Sequence, residues 1–298
     1  MTDAPAASKA LVPGQGILWL ASYPKSGNTW ARVFLHNLFA LAEGEKREYD
    51  INSLNAFTTW DISLTRYRDL LGRDPVEADR ELVASLRPKV QEAIAAEFDG
   101  LAIVKTHHAL LLDRGVPTIN FDVTAGAVYI VRNPLDVAIS FAHHAGVDVD
   151  MAIEDMALEG YETAITERSV HEVYSSWSRH VESWTRRPHR AIHVMRYEDM
   201  LERPLETFSA LARHLLIPAS TPQIMTAIDR ASFVTLKAQE AAAGFREKPE
   251  VSEQFFREGR SGQWRDVLSR RQIRRIVKAH GEQMERFGYL TADLPGVG

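Results

Sequence analysis

The sequence predicts an α/β fold, a single domain with a central, mostly parallel β-sheet flanked by helices. Two observations carry this. Four short apolar runs, at 17–22, 101–106, 127–131 and 191–197, lack the strict alternation of half-exposed strands and suit buried parallel ones. Segments with helical spacing lie between them, and strands alternating with helices indicate a doubly wound sheet.

In chain order, residues 1–16 read as a flexible leader without the long apolar stretch of a signal peptide. ILWLAS (17–22) is the first strand, and helical spacing follows over roughly 29–42. A second helix spans roughly 76–97, with Ala, Leu, Val and Ile on one face. LAIVKT (101–106) and AVYIV (127–131) are the next strands, and a helix over 134–145 follows the latter. Further helices are expected over 168–186, 204–216 and 269–287, with AIHVMRY (191–197) as the fourth strand. The stretch 237–263 is polar and Gly-bearing, and reads as a long loop or lid. No repeat or linker divides the chain.

Composition narrows the function. The chain has 298 residues, 45% hydrophobic and 25% charged, so a substantial core is possible. A net charge of −5 gives no support for bulk binding to nucleic acid, so an anionic ligand needs a local site. The absence of cysteine excludes disulfides, thiolate metal sites and cysteine nucleophiles. No apolar run reaches membrane-helix length, and a cytoplasmic location is the default expectation.

The turn YPKSGNT after the first strand looks built for an anion. It delivers backbone N–H groups and a helix N-terminus to one spot. Gly27 allows close approach, Lys25 adds charge, and Ser26, Asn28 and Thr29 add donors. The lettering is not that of a nucleotide triphosphatase, because Lys25 precedes Gly27 and no Gly occupies 21–24. A plain strand–helix turn capped by Asn28 or Thr29 would also explain this stretch alone.

A second stretch, RNPLDVAIS (132–140), follows the third strand. Arg132 stands at the strand's C-terminal end, where ligands of open α/β sheets bind. Asn133 can cap the helix, Pro134 suits its first turn and Asp136 complements its dipole. Arg132 can hold a phosphate bidentately, or pair with Asp136. A third stretch, FFREGRSGQW (255–264), is a basic, Gly-bearing loop also suited to phosphate.

Together, YPKSGNTW, RNPLDVAIS and the late REG loop resemble the cytosolic-type sulfotransferase family, in order and approximate spacing, from about Leu18 to Trp264. The resemblance implies a P-loop NTPase-like fold over residues 17–298. It implies the donor 3′-phosphoadenosine 5′-phosphosulfate (PAPS), the product adenosine 3′,5′-bisphosphate (PAP), and no metal. By motif match, Lys25, Ser26, Gly27, Asn28 and Thr29 grip the 5′-phosphosulfate end, and Trp30 stacks on adenine. Arg132, Ser140, Arg257 and Gly259 take the 3′-phosphate. Tyr197 lies near adenine, and ASF (231–233) offers Ser232 and the ring of Phe233. Two letters depart from the family: Glu258 stands where a Lys is frequent, and Asn28 where a Thr is common. The frequent dimer motif is not evident in 264–276, so any homodimer would form another way.

In an extended strand, Lys105 and His107 project to the same side. Histidine can accept a proton at neutral pH. The resemblance makes His107 the general base and gives Lys25 and Lys105 the charge-neutralising role in an in-line displacement. His108 is its neighbour. Acceptor contacts are expected from Phe57, Trp60, His108, Phe141, His143, His144 and Phe245, which point to a small apolar or aromatic hydroxyl compound. The alternatives are a carbohydrate or lipid hydroxyl acceptor, an ATP- and Mg²⁺-dependent P-loop kinase, or a nucleotide-binding module without turnover. A kinase requires a Walker A lettering that is absent. Retention of Lys25, Lys105 and His107 together argues against the inert module.

Overall fold

Seven strands organise the described residues: β1 (Gly16–Ser22), β2 (Thr59–Trp60), β3 (Leu101–Thr106), β4 (Leu112–Asp113), β5 (Val116–Pro117), β6 (Thr124–Val131) and β7 (Ile192–Arg196). The computed structural model describes residues 15–249, 251–291 and 294. Residues 1–14 of the expected leader lie outside them, and β1 begins at Gly16. Five strands form one sheet in the order β2-β3-β1-β6-β7, and every pairing in it is parallel. β4 and β5 make a separate antiparallel pair.

Every residue of β1 is buried, as a central strand covered on both faces requires. Successive side chains alternate across the sheet. Ile17, Trp19 and Ala21 pack with helices Arg80–Ala96, Pro134–Ala145 and Arg270–Arg286 on one face. Leu18 and Leu20 pack with helices Asn28–Ala42, Pro204–His214 and Thr221–Arg230 on the other. The chain fills one side of β1 with β3 and β2, then returns to fill the other with β6 and β7. That reversal opens a crevice at the carboxyl ends of β1 and β6, where α/β sheets bind ligands.

The expected strands form with shifts of a few residues, and helices form over most of the spans expected. The exception is 168–186, where the helix is Trp177–Thr185 and begins at the Ser176 cap. Residues 168–176 are irregular, and Ser175 has a φ of 59°. The expected loop over 237–263 is corrected in its first part: helix Phe233–Ala243 continues to residue 243 before irregular chain takes over. Helices Leu64–Leu71, Val149–Ala157 and Thr221–Arg230 were not expected from the sequence. Among the described residues, no helix is long and apolar enough to cross a membrane.

Burial of histidine sets the acid stability. His108, His180 and His280 are core residues. Burial lowers His108 well below its ordinary value, His180 to about 3 and His280 to about 4. The folded state therefore binds fewer protons than the unfolded chain, whose histidines titrate near ~6.5. Stability from these groups is complete above that value and is lost as pH falls through it. Glu172 and Asp61, raised by burial to about 7 and about 6, titrate in the opposite sense but are outnumbered. The melting temperature is expected to fall between pH ~6.5 and ~4.5; a flat profile in differential scanning calorimetry would refute the neutral core histidines.

Candidate active site

The crevice is a cleft of about 540 Å³. Its first wall is the turn from β1 into helix Asn28–Ala42. Lys25 has a φ of 66° and Gly27 a φ of 103°, and left-handed residues in a tight turn face successive N–H groups the same way. The helix starts without a side-chain cap and without an acidic residue in its first turn, an arrangement that suits an anion. A Cβ on Gly27 would stand 2.7 Å from the Tyr197 ring, so glycine lets the turn and Tyr197 meet.

Two side chains of this turn are buried. Ser26 is fully buried and off the cleft wall. Asn28 is buried and donates through Nδ2 to the Leu20 carbonyl at 2.8 Å, tying the helix back to β1. Asn28 still lines the cleft, whereas the Ser26 hydroxyl is buried without a hydrogen-bond partner. Lys25, Thr29 and Trp30 do line it.

The second wall comes from the chain after β6. Asn133 caps helix Pro134–Ala145, with Pro134 in its first turn. Arg132 does not pair with Asp136. It donates to the Lys25 carbonyl at 2.9 Å and lies 4.1 Å over the Tyr197 ring. Asp136 instead accepts from the N–H groups of Gly262 at 2.6 Å and Trp264 at 3.1 Å, pinning the late loop to this helix. Arg257, Glu258 and Gly259 thereby reach the cleft beside Ser140. Glu258 lies 3.3 Å from Arg260 and 3.8 Å from Arg257 in ion pairs. Ser232 caps helix Phe233–Ala243 by accepting from Thr235 N–H. A Cβ on Gly259 would fall 2.2 Å from the Phe233 ring, so this pair is packed face to backbone.

At the end of β3 the cleft meets Lys105 and His107. His107 Nδ1 lies 2.7 Å from the Ser22 carbonyl oxygen. A carbonyl only accepts, so Nδ1 carries the proton and Nε2 keeps its lone pair. The His107 backbone is held on both sides: its N–H donates to Glu172, and its carbonyl accepts from His180 Nε2 at 3.1 Å. His180 in turn accepts from the Tyr129 hydroxyl at 2.9 Å. Burial, then the charge of Lys105, hold His107 well below its ordinary value, so it is neutral at neutral pH. Lys105 sits 4.6 Å over the Trp60 ring of β2, and burial lowers its ammonium too. Lys25 is lowered to about 7, first by burial and then by Arg132 and Lys105.

Of the expected acceptor contacts, Trp60 and His144 line the cleft. Four others are corrected. His108 follows His107 on the strand end and therefore points the opposite way, into the core, where Nδ1 accepts from Val173 N–H at 3.0 Å. Phe141 lies a helical step round from Ser140 and His144 and is buried against Tyr23. Phe57 stacks on His36 at 4.7 Å, outside the cleft. Phe245 packs behind Phe255 at 4.8 Å and leaves the wall to it. His143 is exposed and lines a small neighbouring hollow. Sequence reasoning missed Glu172, Tyr174, Glu247 and Phe255, all of which line the cleft. Glu247 is held by a bidentate pair with the fully buried Arg32, at 2.8 Å on each oxygen.

A left-handed turn after the central strand, an arginine after the neighbouring strand β6 and a histidine with a free Nε2 thus converge on one cleft. A family model described as "Sulfotransferase domain" matches residues 16–288. The chain belongs to the sulfotransferase family. The sulfotransferase enzyme class and the P-loop NTPase-like fold implied by the three motifs hold. Sulfotransferase 1A1 of Canis lupus familiaris is 25% identical over 283 residues, covering 91% of this chain and 84% of that protein. Flavonol 3-sulfotransferase of Flaveria bidentis is 24% identical over 286 residues, covering 91% and 82%. Among solved structures, mouse sulfotransferase SULT7A1 complexed with PAP superposes with a TM-score of 0.61 at 18% identity, over 93% of this chain and 86% of that one. Retinol dehydratase in complex with androsterone and the inactive cofactor PAP gives 0.62 at 20% identity, over 90% and 80%.

Proposed function

We propose that this sulfotransferase moves a sulfuryl group from PAPS to the hydroxyl of a small apolar or aromatic acceptor, with His107 as general base. The observation that carries the reading is the His107 geometry: Nδ1 is committed to Ser22, and the free Nε2 belongs to a neutral imidazole in the same cleft as Lys25 and Lys105.

The residues present fit the donor. Arg132 Nε and Trp30 Nε1 are buried donors without a protein partner, and both side chains line the cleft. Gly27 and Gly259 keep open the two places where a Cβ would collide with Tyr197 and Phe233. Main-chain N–H groups of the first turn, with Lys25 and Thr29, would hold the phosphosulfate end. Arg132, Ser140 and Arg257 would hold the 3′-phosphate, and Trp30, Tyr197 and Phe233 the adenine. When bound, PAPS supplies the sulfuryl group and departs as PAP. His107 Nε2 accepts the acceptor's hydroxyl proton as the oxygen becomes a nucleophile. Lys25 and Lys105 line the same cleft and would neutralise the developing negative charge, and their burial strengthens that effect. Trp60 and Tyr174 line the cleft and would contact the acceptor.

Isothermal titration calorimetry tests the donor assignment. PAP is expected to bind without metal, and more tightly than ATP with Mg²⁺. Because Lys25 sits at about 7, the bisphosphate should also recharge it. Titrations about one pH unit above that value, in buffers of different ionisation enthalpy, should therefore show net proton uptake. Preference for ATP with Mg²⁺ would overturn the donor and reopen the kinase reading.

A further inference from the structure

The proposed function gives Lys25 a role but not a means of holding a flexible four-carbon side chain in place. Its ammonium lies 4.0 Å from the centre of the Phe255 ring and 3.5 Å from His144 Nδ1. The two rings meet edge to face, with centroids 6.3 Å apart. An ammonium only donates, so His144 Nδ1 is the acceptor and the proton of this imidazole is on Nε2. Burial, then Lys25 and Lys105, lower His144 to about 3, so it stays neutral and able to accept. Phe255 is itself fixed: the Glu240 carboxylate accepts the N–H of Phe255 at 2.7 Å and of Phe256 at 2.9 Å.

We propose that Phe255 and His144 are positioning residues that form a seat for the Lys25 ammonium, one through its ring face and the other through its Nδ1 lone pair. The seat joins three separate segments: the first turn, helix Pro134–Ala145 and the late loop. It holds Lys25 beside the other charges that face it, Arg132, Lys105 and Glu240, and beside Arg257, which lines the same hollow. The cations repel Lys25 and Glu240 attracts it, so the ring face and the imidazole act against a net repulsion. The inference rests on the proposed role of Lys25 in sulfuryl transfer, but its test does not need turnover.

The test is the pH dependence of Lys25 acylation by acetic anhydride in the intact protein, read by peptide mass spectrometry. Phe255→Leu keeps an apolar side chain against Phe245 and removes the π face. Without that desolvated cation–π interaction, proton binding by Lys25 should weaken about fivefold, moving the acylation midpoint about 0.7 pH unit lower. Phe255→Tyr should restore the midpoint. His144→Leu should lower it as well, and His144→Gln, which keeps an acceptor, should lower it less. An unmoved midpoint in Phe255→Leu and His144→Leu, or equal shifts in Phe255→Leu and Phe255→Tyr, would overturn the seat. If the midpoints move as expected but the wild-type protein fails to bind PAP, the donor assignment falls and the seat stands.

Discussion

His107→Ala is expected to lower kcat by about 10²–10⁴-fold, the usual contribution of a positioned general base. PAP affinity should stay within about twofold, because His107 stands at the end of β3 and none of the groups assigned to the phosphates touches it. The pH profile carries a second expectation. Burial and Lys105 disfavour the imidazolium, so the folded value lies below the ordinary ~6.5. The base form is competent above that folded value and is lost only as pH falls through it. The acid limb of kcat/KM should therefore lie below pH ~6.5 and vanish in the variant. Single-turnover rates with a phenolic acceptor would measure both. Retained turnover, or an acid limb that persists in the variant, would remove His107 from the chemistry.

Gly259→Ala is expected to weaken PAP binding by about thirtyfold. Gly259 has a φ of 62°, a conformation that costs an L-residue roughly 1–2 kcal/mol. The added methyl would also enter the Phe233 ring, 2.2 Å away. Ring atoms on a capped helix cannot yield as a flexible chain end would. Either Phe233 leaves the adenine wall or Arg257 and its neighbours move out of reach of the 3′-phosphate. Both movements weaken the grip on the donor, and a combined cost of about 2 kcal/mol corresponds to the thirtyfold change. A melting temperature measured on the same variant separates this from unfolding. PAP affinity unchanged in a folded Gly259→Ala protein would show that this loop does not clamp the donor.

The wall of the cleft proposed to hold the donor was legible because it is made of main-chain shape at strand ends. Lys25, Gly27 and Arg132 lie in short turns after buried strands, and such turns leave few alternatives. Within them, sequence could not show which side chains turn inward: Ser26 is buried off the cleft wall, and Asn28, on the wall, spends its amide on the Leu20 carbonyl. The acceptor half depends on helical phase and on irregular chain. One step separates Phe141 from Ser140, and one residue separates His108 from His107, yet each step crosses from cleft to core. Glu172 and Tyr174 were hidden because apolar spacing over 168–186 reads as continuous helix, whereas the helix starts only after Ser176. Glu247 was hidden for a different reason: its partner Arg32 lies 215 residues away in sequence.

The two-residue strand β2 pairs only with β3, at the edge of the sheet, and carries Trp60 against Lys105. The turns proposed to grip the donor follow β1 and β6, whose pairings run through the middle of the sheet. Insertions and substitutions around β2 therefore alter the acceptor wall without disturbing a central pairing. Under the proposed function, a descendant of this scaffold could exchange acceptors while keeping its donor, so selection for new substrates should accumulate in residues 55–63 and 168–176 before it touches the first turn.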